Sequence, residues 1–122
     1  MELIPITPEY YEFVRLLRMD PRVTGGFIRE ADITPEEQEV YMEKYSNNYH
    51  VCLSYNEPVG YIGVINNDIR VCTHPDHSKK GVGKYMLKQI MELYPRATGK
   101  IKTNNTSSIR LFEACRVPYE LI

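Results

Sequence analysis

Cysteine is scarce in this chain, and the three residues present, Cys52, Cys72 and Cys115, are widely spaced and odd in number. That pattern supports neither a disulfide framework nor a zinc site and leaves buried thiols as the reading. No apolar run approaches the roughly 18 residues of a spanning helix, which excludes a membrane protein of that type. The first residues, Met1-Glu2-Leu3-Ile4-Pro5, lack the basic start and apolar stretch of a signal peptide, so a cytoplasmic protein without a membrane partner is expected. Charge of one sign is missing as well. Fifteen basic and sixteen acidic residues give a net charge of −1, which argues against a nucleic-acid partner. We find no internal repeat, linker or low-complexity segment.

What is present describes an ordinary globular chain. At 122 residues, 43% hydrophobic and 25% charged, residues 1–122 are expected to form one domain around a single core. Met1 to Ile6 reads as a strand. Thr7-Pro8 then offers a helix cap and first position, followed by Tyr10, Phe13, Val14 and Leu17 at helical spacing. Asp20-Pro21 and Gly25-Gly26 break that helix, and Thr34 and Glu37 have the spacing of a capping box for a second, whose apolar face includes Tyr41 and Tyr45. The period then changes. Tyr49 to Tyr55 and Val59 to Ile65 form a hairpin around Asn56-Glu57-Pro58, and a turn at Asn66-Asn67-Asp68 leads into a third antiparallel strand ending at Thr73. A helix follows, with Gly83, Leu87, Ile90, Met91 and Tyr94 on one side and its end marked by Pro95. Thr98 to Thr103 supplies a strand, Asn104 to Ser108 offers helix caps, and Val117 to Ile122 supplies a last strand. The expected order is β-α-α-β-β-β-α-β-α-β, an α+β domain with a mixed, centrally antiparallel sheet flanked by helices.

One stretch points to chemistry. From Cys72 to Lys84 an apolar strand runs into a basic, glycine-containing turn that opens an amphipathic helix, the usual way a backbone presents free N–H groups to an anion. Gly81 and Gly83 allow the main chain to approach a ligand. The segment is also locally basic: between Ser78 and Lys102 stand five lysines besides Lys102 and one arginine, with Glu92 the sole acid. Lys79, Lys80 and Lys84 bracket the turn. Two phosphate-binding motifs fail on residue identity. A P-loop needs glycine at Ser78 and a hydroxyl residue at Tyr85; a dinucleotide fingerprint needs glycine at Met86 and parallel strands before it.

A third motif fits. Thr73-His74-Pro75 followed by Ser78-Lys79-Lys80-Gly81-Val82-Gly83 resembles the V-x-P and [QR]-x-x-G-x-[GA] signature of the GNAT superfamily of acyl-CoA-dependent N-acetyltransferases, with Ser78 where glutamine or arginine is usual. Asn105-Thr106-Ser107-Ser108-Ile109-Arg110-Leu111-Phe112-Glu113 resembles that family's N-x-x-S-x-x-L-[YF]-E segment. Specific motifs cover residues 59 to 117, and the order of elements follows the family along nearly the whole chain. The resemblance implies a GNAT-like fold and transfer of an acetyl group from acetyl-CoA, with no metal, to an amine acceptor. It further implies that amides around Lys79, Lys80, Gly81, Val82, Gly83 and Lys84 cradle the CoA pyrophosphate, entered at Ser78, and that the strand holding Val71, Cys72 and Thr73 splays from its neighbour to bond the pantetheine. Asn105 would contact the same arm.

The catalytic residues are less constrained. The residue matching the family's usual tyrosine near the leaving sulfur is Phe112, which has no proton to give, so Tyr119, Tyr85 or water would substitute. Asp68 has two readings, a base for the amine or a turn residue after Asn66-Asn67. His74 likewise stands as a titrating group beside the loop or as an incidental strand-end histidine, and a His74/His77 metal pair lacks further ligands. The family carries a further strand after the last helix, so the C-terminal edge is expected to be covered by a second copy in a homodimer or by the N-terminal region. Residues 8 to 44 hold nine acidic and five basic side chains, fitting either a cationic acceptor or a solvated surface. Three functions therefore stay open: an N-acetyltransferase acting on a small amine, amino sugar or protein amine by direct attack; a non-catalytic CoA-binding module of the same fold; and an interaction protein with a vestigial loop.

Overall fold

In a computed structural model, which describes residues 1–25, 27 and 32–122, the elements follow that order with short helical turns added. Strand β1 (Glu2–Pro5) is followed by a 3-10 turn at Pro8–Tyr10, helix α1 (Tyr11–Met19), the single-turn α2 (Pro21–Thr24) and α3 (Pro35–Tyr45). Then come β2 (Tyr49–Ser54), β3 (Glu57–Ile65), β4 (Asp68–Thr73), α4 (Val82–Leu93), β5 (Thr98–Ile101), α5 (Thr106–Ala114) and β6 (Tyr119–Leu121). The strands form one sheet in sequential order, antiparallel from β1 to β4 and parallel from β4 through β6.

Local sequence accounts for most boundaries. The Thr34 hydroxyl accepts from Glu37 N–H at 3.1 Å while the Glu37 carboxylate accepts from Thr34 N–H at 3.2 Å, completing the capping box. Thr7-Pro8 opens the 3-10 turn rather than α1, and the Thr7 hydroxyl bonds Glu9 instead of capping. Tyr55 and Asn56, at φ of 51° and 66°, turn the first hairpin, and Asn66 and Asn67, at 52° and 63°, the second. Both are the left-handed pairs that match strand twist. Pro58 and Asp68 consequently belong to strands, not to turns. Gly26, read as half of a helix-breaking pair, lies outside the described residues.

Each face of the sheet carries its own core. On one, Val82, Met86, Leu87 and Ile90 of α4 and Phe112 of α5 pack on Ile62, Val64 and Ile69. The inward side of α4 is therefore set by Val82 and Met86 along with Leu87 and Ile90, while Met91 and Tyr94 lie at its margin. On the other face Val14 and Leu17 of α1 and Met42 of α3 pack on Tyr49, Tyr61 and Cys72. In α3 it is Gln38 and Met42 that are buried, with Tyr41 and Tyr45 half-buried beside them. The Gln38 amide donates to the Tyr11 carbonyl at 3.1 Å and so ties α3 to α1. β1 occupies the sheet edge opposite β6, so the N-terminal strand does not cover the C-terminal edge. No described helix is long and apolar enough to cross a membrane.

Candidate functional site

The site begins where the sheet fails to close. β4 and β5 pair only at Asp68 with Thr98 and at Ile69 with Gly99, and beyond that the strands part. Hydrogen bonding fixes which groups this exposes. His74 N–H donates to the Val59 carbonyl at 2.8 Å, so the even-numbered residues of β4 bond to β3; Thr98 N–H donates to the Asn67 carbonyl at 2.8 Å, so the odd-numbered ones face β5. The N–H and C=O groups of Val71 and Thr73 therefore aim into the gap. Side chains alternate the other way, with Ile69 and Val71 toward α4 and Arg70 and Cys72 toward α1 and α3.

The loop leaving this gap is shaped for an anion. After a 3-10 turn at Pro75–His77, Lys79 takes φ of 61° and Gly81 φ of 81°, and the first bond within α4 runs from Tyr85 N–H to the Gly81 carbonyl. Gly81, at the N-cap, gives no side-chain cap, so the N–H groups at the start of α4 have no acceptor within the helix. Such alternation of backbone hands turns successive amides toward one point. A Cβ on Gly81 would meet nothing within 4 Å, so glycine is required there by conformation. At Gly83 a Cβ would stand 2.9 Å from Leu111 Cδ2, so the missing side chain there serves the packing of α4 on α5. Ser78, Lys79, Lys80 and Lys84 are exposed around this turn. Asn105 opens α5, its side-chain carbonyl accepting from Ser108 N–H at 3.2 Å.

A groove of about 1080 Å³ joins these parts. Ser78, Asn105, Ser108 and Leu111 line one end, Val71, Thr73, Ile101 and Phe112 the gap, and Arg18, Tyr49, Tyr61, Asp68 and Arg70 the end toward α1. Sequence reasoning missed Arg18, Arg70, Tyr49 and Tyr61. The signal for Arg70 was its period-two alternation with Asp68 and Cys72; Arg18 reaches the groove only through tertiary packing.

Of the glycine turn only Ser78 lines the groove, residues 79–84 lying outside it, and two of the catalytic candidates are not brought there. His74 turns to the other side of the loop, into a separate pocket of about 310 Å³ with Phe13, Leu17 and Pro58. Its ring stacks on Phe13 at 6.3 Å and its Nδ1 accepts from Asp76 N–H at 3.1 Å, so it caps the 3-10 turn. Tyr119 packs edge-on against Phe112 at 6.3 Å, and burial together with Glu113 pushes its phenol up. Neither Tyr119 nor Tyr85 lines the groove. Phe112 is itself core, 2% exposed, with its ring against Gly99.

Electrostatics sorts the remaining groups. Burial pushes the Cys72 thiol up to about 12, and Tyr49 is raised by burial and its bond to Tyr41, so both stay protonated near neutrality. Cys52 and Cys115 are also raised by burial, but Cys115 alone of the three is partly accessible. Native alkylation at pH 8 followed by peptide mass spectrometry will label Cys115 well before Cys52 or Cys72; early labelling of Cys72 would contradict its burial.

Comparison with known proteins fits this geometry. The family model described as Acetyltransferase (GNAT) family matches residues 10–116. No curated protein matches the chain. Among solved structures, spermidine N-acetyltransferase from Vibrio cholerae in complex with CoA and spermine superposes with a TM-score of 0.79 at 15% identity, covering 93% of this chain and 78% of that one. Ribosomal-protein-alanine N-acetyltransferase from Brucella melitensis gives 0.80 at 14%, covering 93% and 82%. A Salmonella typhimurium structure with acetyl-CoA as its cofactor gives 0.78 at 16%, covering 93% and 77%. At such identities the likeness establishes the fold, a mixed six-stranded sheet flanked by helices.

Proposed function

Because this chain belongs to the GNAT family of acetyltransferases, we propose that it moves an acetyl group from acetyl-CoA to a primary amine by direct attack in a ternary complex. The observation that carries this is the divergence of β4 from β5 directly before a left-handed, lysine-bracketed turn. Amides from Ser78 to Lys84, with the helix start and the charges of Lys79, Lys80 and Lys84, would hold the pyrophosphate. The pantetheine would then run back along β4, meeting Thr73 before Val71, with Asn105 on the opposite wall. An N–H that points into the gap supplies the donor needed by the thioester carbonyl as it becomes an oxyanion.

Direct attack is supported by the burial of Cys72, which pushes its thiol up to about 12 and leaves little thiolate to accept the acyl group at neutral pH. Asp68, in the groove wall and 28% exposed, would accept the amine proton directly or through water. Phe112 offers no proton to the sulfur, but a thiol of reference pKa about 8.5 departs as thiolate without a strong acid. Phe112 is also the observation that favours a second reading, a CoA-binding module without turnover. The structural neighbours include enzymes named for a polyamine and for a ribosomal protein's alanine, so the fold by itself leaves the acceptor open. The outer edge of β6, the last strand of the sheet, with Leu121 half exposed, supports pairing with a second copy in a homodimer.

Thermal unfolding with and without acetyl-CoA, followed by thiol release across a panel of amines, tests the reading. Saturation at a hundredfold over Kd stabilises by about 2.7 kcal/mol, an upward Tm shift of several degrees. A shift together with amine-dependent thiol release supports transfer. A shift with no release across the panel supports the binding module, and no shift removes both.

A further inference from the structure

The groove has a second end, and its charge is the reverse of what the first third of the chain suggests. Glu9, Glu12, Glu36, Glu37, Glu39 and Glu43 are all exposed, and none lines the groove; what that segment turns inward is arginine. Arg22 is neutralised locally, donating to Asp20 at 2.7 Å and to Asp76 at 2.8 Å. Arg18 is not. Among the described residues no carboxylate lies within 4.0 Å of its guanidinium, which sits over the Tyr41 ring at 5.9 Å.

A hydrogen-bonded chain of donors accompanies it. Arg70 Nη1 donates to the Tyr41 hydroxyl at 3.1 Å, and that hydroxyl shares one proton with the Tyr49 hydroxyl at 2.8 Å. Two phenols carry two protons and their mutual bond uses one, so one O–H remains to donate elsewhere. Arg70 keeps a distant partner in Asp68, 3.8 Å from its Nε and beyond hydrogen-bond range. Asp68 is the one acidic side chain lining this groove among the described residues.

On the reading of this groove as an acetyl-transfer site, we infer that the acceptor is a small amine that carries an anionic group, a carboxylate or phosphate, on the same molecule. Its ammonium would lie at Asp68 and its anion at Arg18 and Arg70, whose planar guanidinium groups present in-plane N–H donors that match paired oxygens. A polycation meets positive charge at Arg18 with no carboxylate beside it among the described residues and is disfavoured there.

The experiment compares kcat/KM, by thiol release from acetyl-CoA, for an amino acid, its amide, an amino sugar phosphate, the unphosphorylated sugar and spermine. Each anionic compound of the productive class is expected to exceed its uncharged counterpart by roughly tenfold or more, the scale of one charge-assisted hydrogen bond, and to exceed spermine. The carboxylate and phosphate pairs separately identify the anion. Arg18→Met should reduce that preference about tenfold through KM, with Arg18→Lys recovering part of it, while the acetyl-CoA thermal shift reports an intact donor site. Equal or better turnover of the uncharged compounds or of spermine overturns the inference and leaves acetyl transfer standing. Loss of the acetyl-CoA shift in the parent protein overturns both.

Discussion

Val71→Pro will lower kcat for acetyl transfer by on the order of 10²–10³ while changing Tm little, because the substitution deletes one N–H from the gap and no hydrogen bond from the sheet. The asymmetry follows from the parity of β4. Val71 stands opposite Ile62 in a pair whose amides point away from each other, so its N–H is the first beyond the Ile69 pairing to face open space. Arg70, before it, is in extended backbone, as the residue preceding proline requires. The same change one residue later behaves differently. Cys72 bonds to Tyr61 across the β3–β4 ladder, and Cys72→Pro breaks that ladder inside the buried core, so its effect appears as a lowered Tm. Steady-state kinetics and melting curves of the two variants separate the roles. Wild-type turnover in a folded Val71→Pro protein would remove the backbone donor from the mechanism.

How far the sequence could be read depended on the range of the interaction involved. The capping box of α3 and the basic turn at Gly81 are set within a few residues, and the chain shows them openly. Turn positions were displaced because Pro58 and Asp68 suggest loops on their own, whereas Tyr55-Asn56 and Asn66-Asn67 adopt left-handed backbone and close both hairpins in two residues. The order of elements was legible in periodicity, caps and turn residues, whereas the parting of β4 from β5 came only through the resemblance of two motifs. The acceptor end is a product of tertiary packing. Arg18 reaches it from α1, Tyr41 from α3, Tyr49 from β2 and Arg70 from β4, residues as far apart as 18 and 70 in the chain. An acid count over residues 8 to 44 cannot see which side chains face outward, and here every acid among the described residues except Asp20 does. The same limit applies to His74 and Tyr119, which stand near the motifs in sequence but point into other surroundings.

Gly81→Val carries the second large effect, and it falls on the donor. At φ of 81° a β-branched residue is excluded by its own backbone, with about 1–2 kcal/mol lost even for an unbranched L-residue. Relief comes from rotating the turn, which swings the amides of residues 79 to 83 away from their common point. Acetyl-CoA affinity should then fall about a hundredfold, the loss of two charge-assisted hydrogen bonds, with an apo Tm lower by roughly 4–10 °C. Gly83→Ala provides the contrast two residues on. Its added Cβ meets the flexible end of Leu111 at 2.9 Å, so the strain is one of packing between α4 and α5, and the left-handed geometry of Gly81 is untouched. That variant should lose up to about 1–3 kcal/mol of stability yet keep most of its acetyl-CoA affinity. Calorimetric titration of both variants distinguishes a glycine required by backbone conformation from one required by helix packing. Undiminished acetyl-CoA binding by folded Gly81→Val would mean that the pyrophosphate is held by the lysine charges and not by the converging amides.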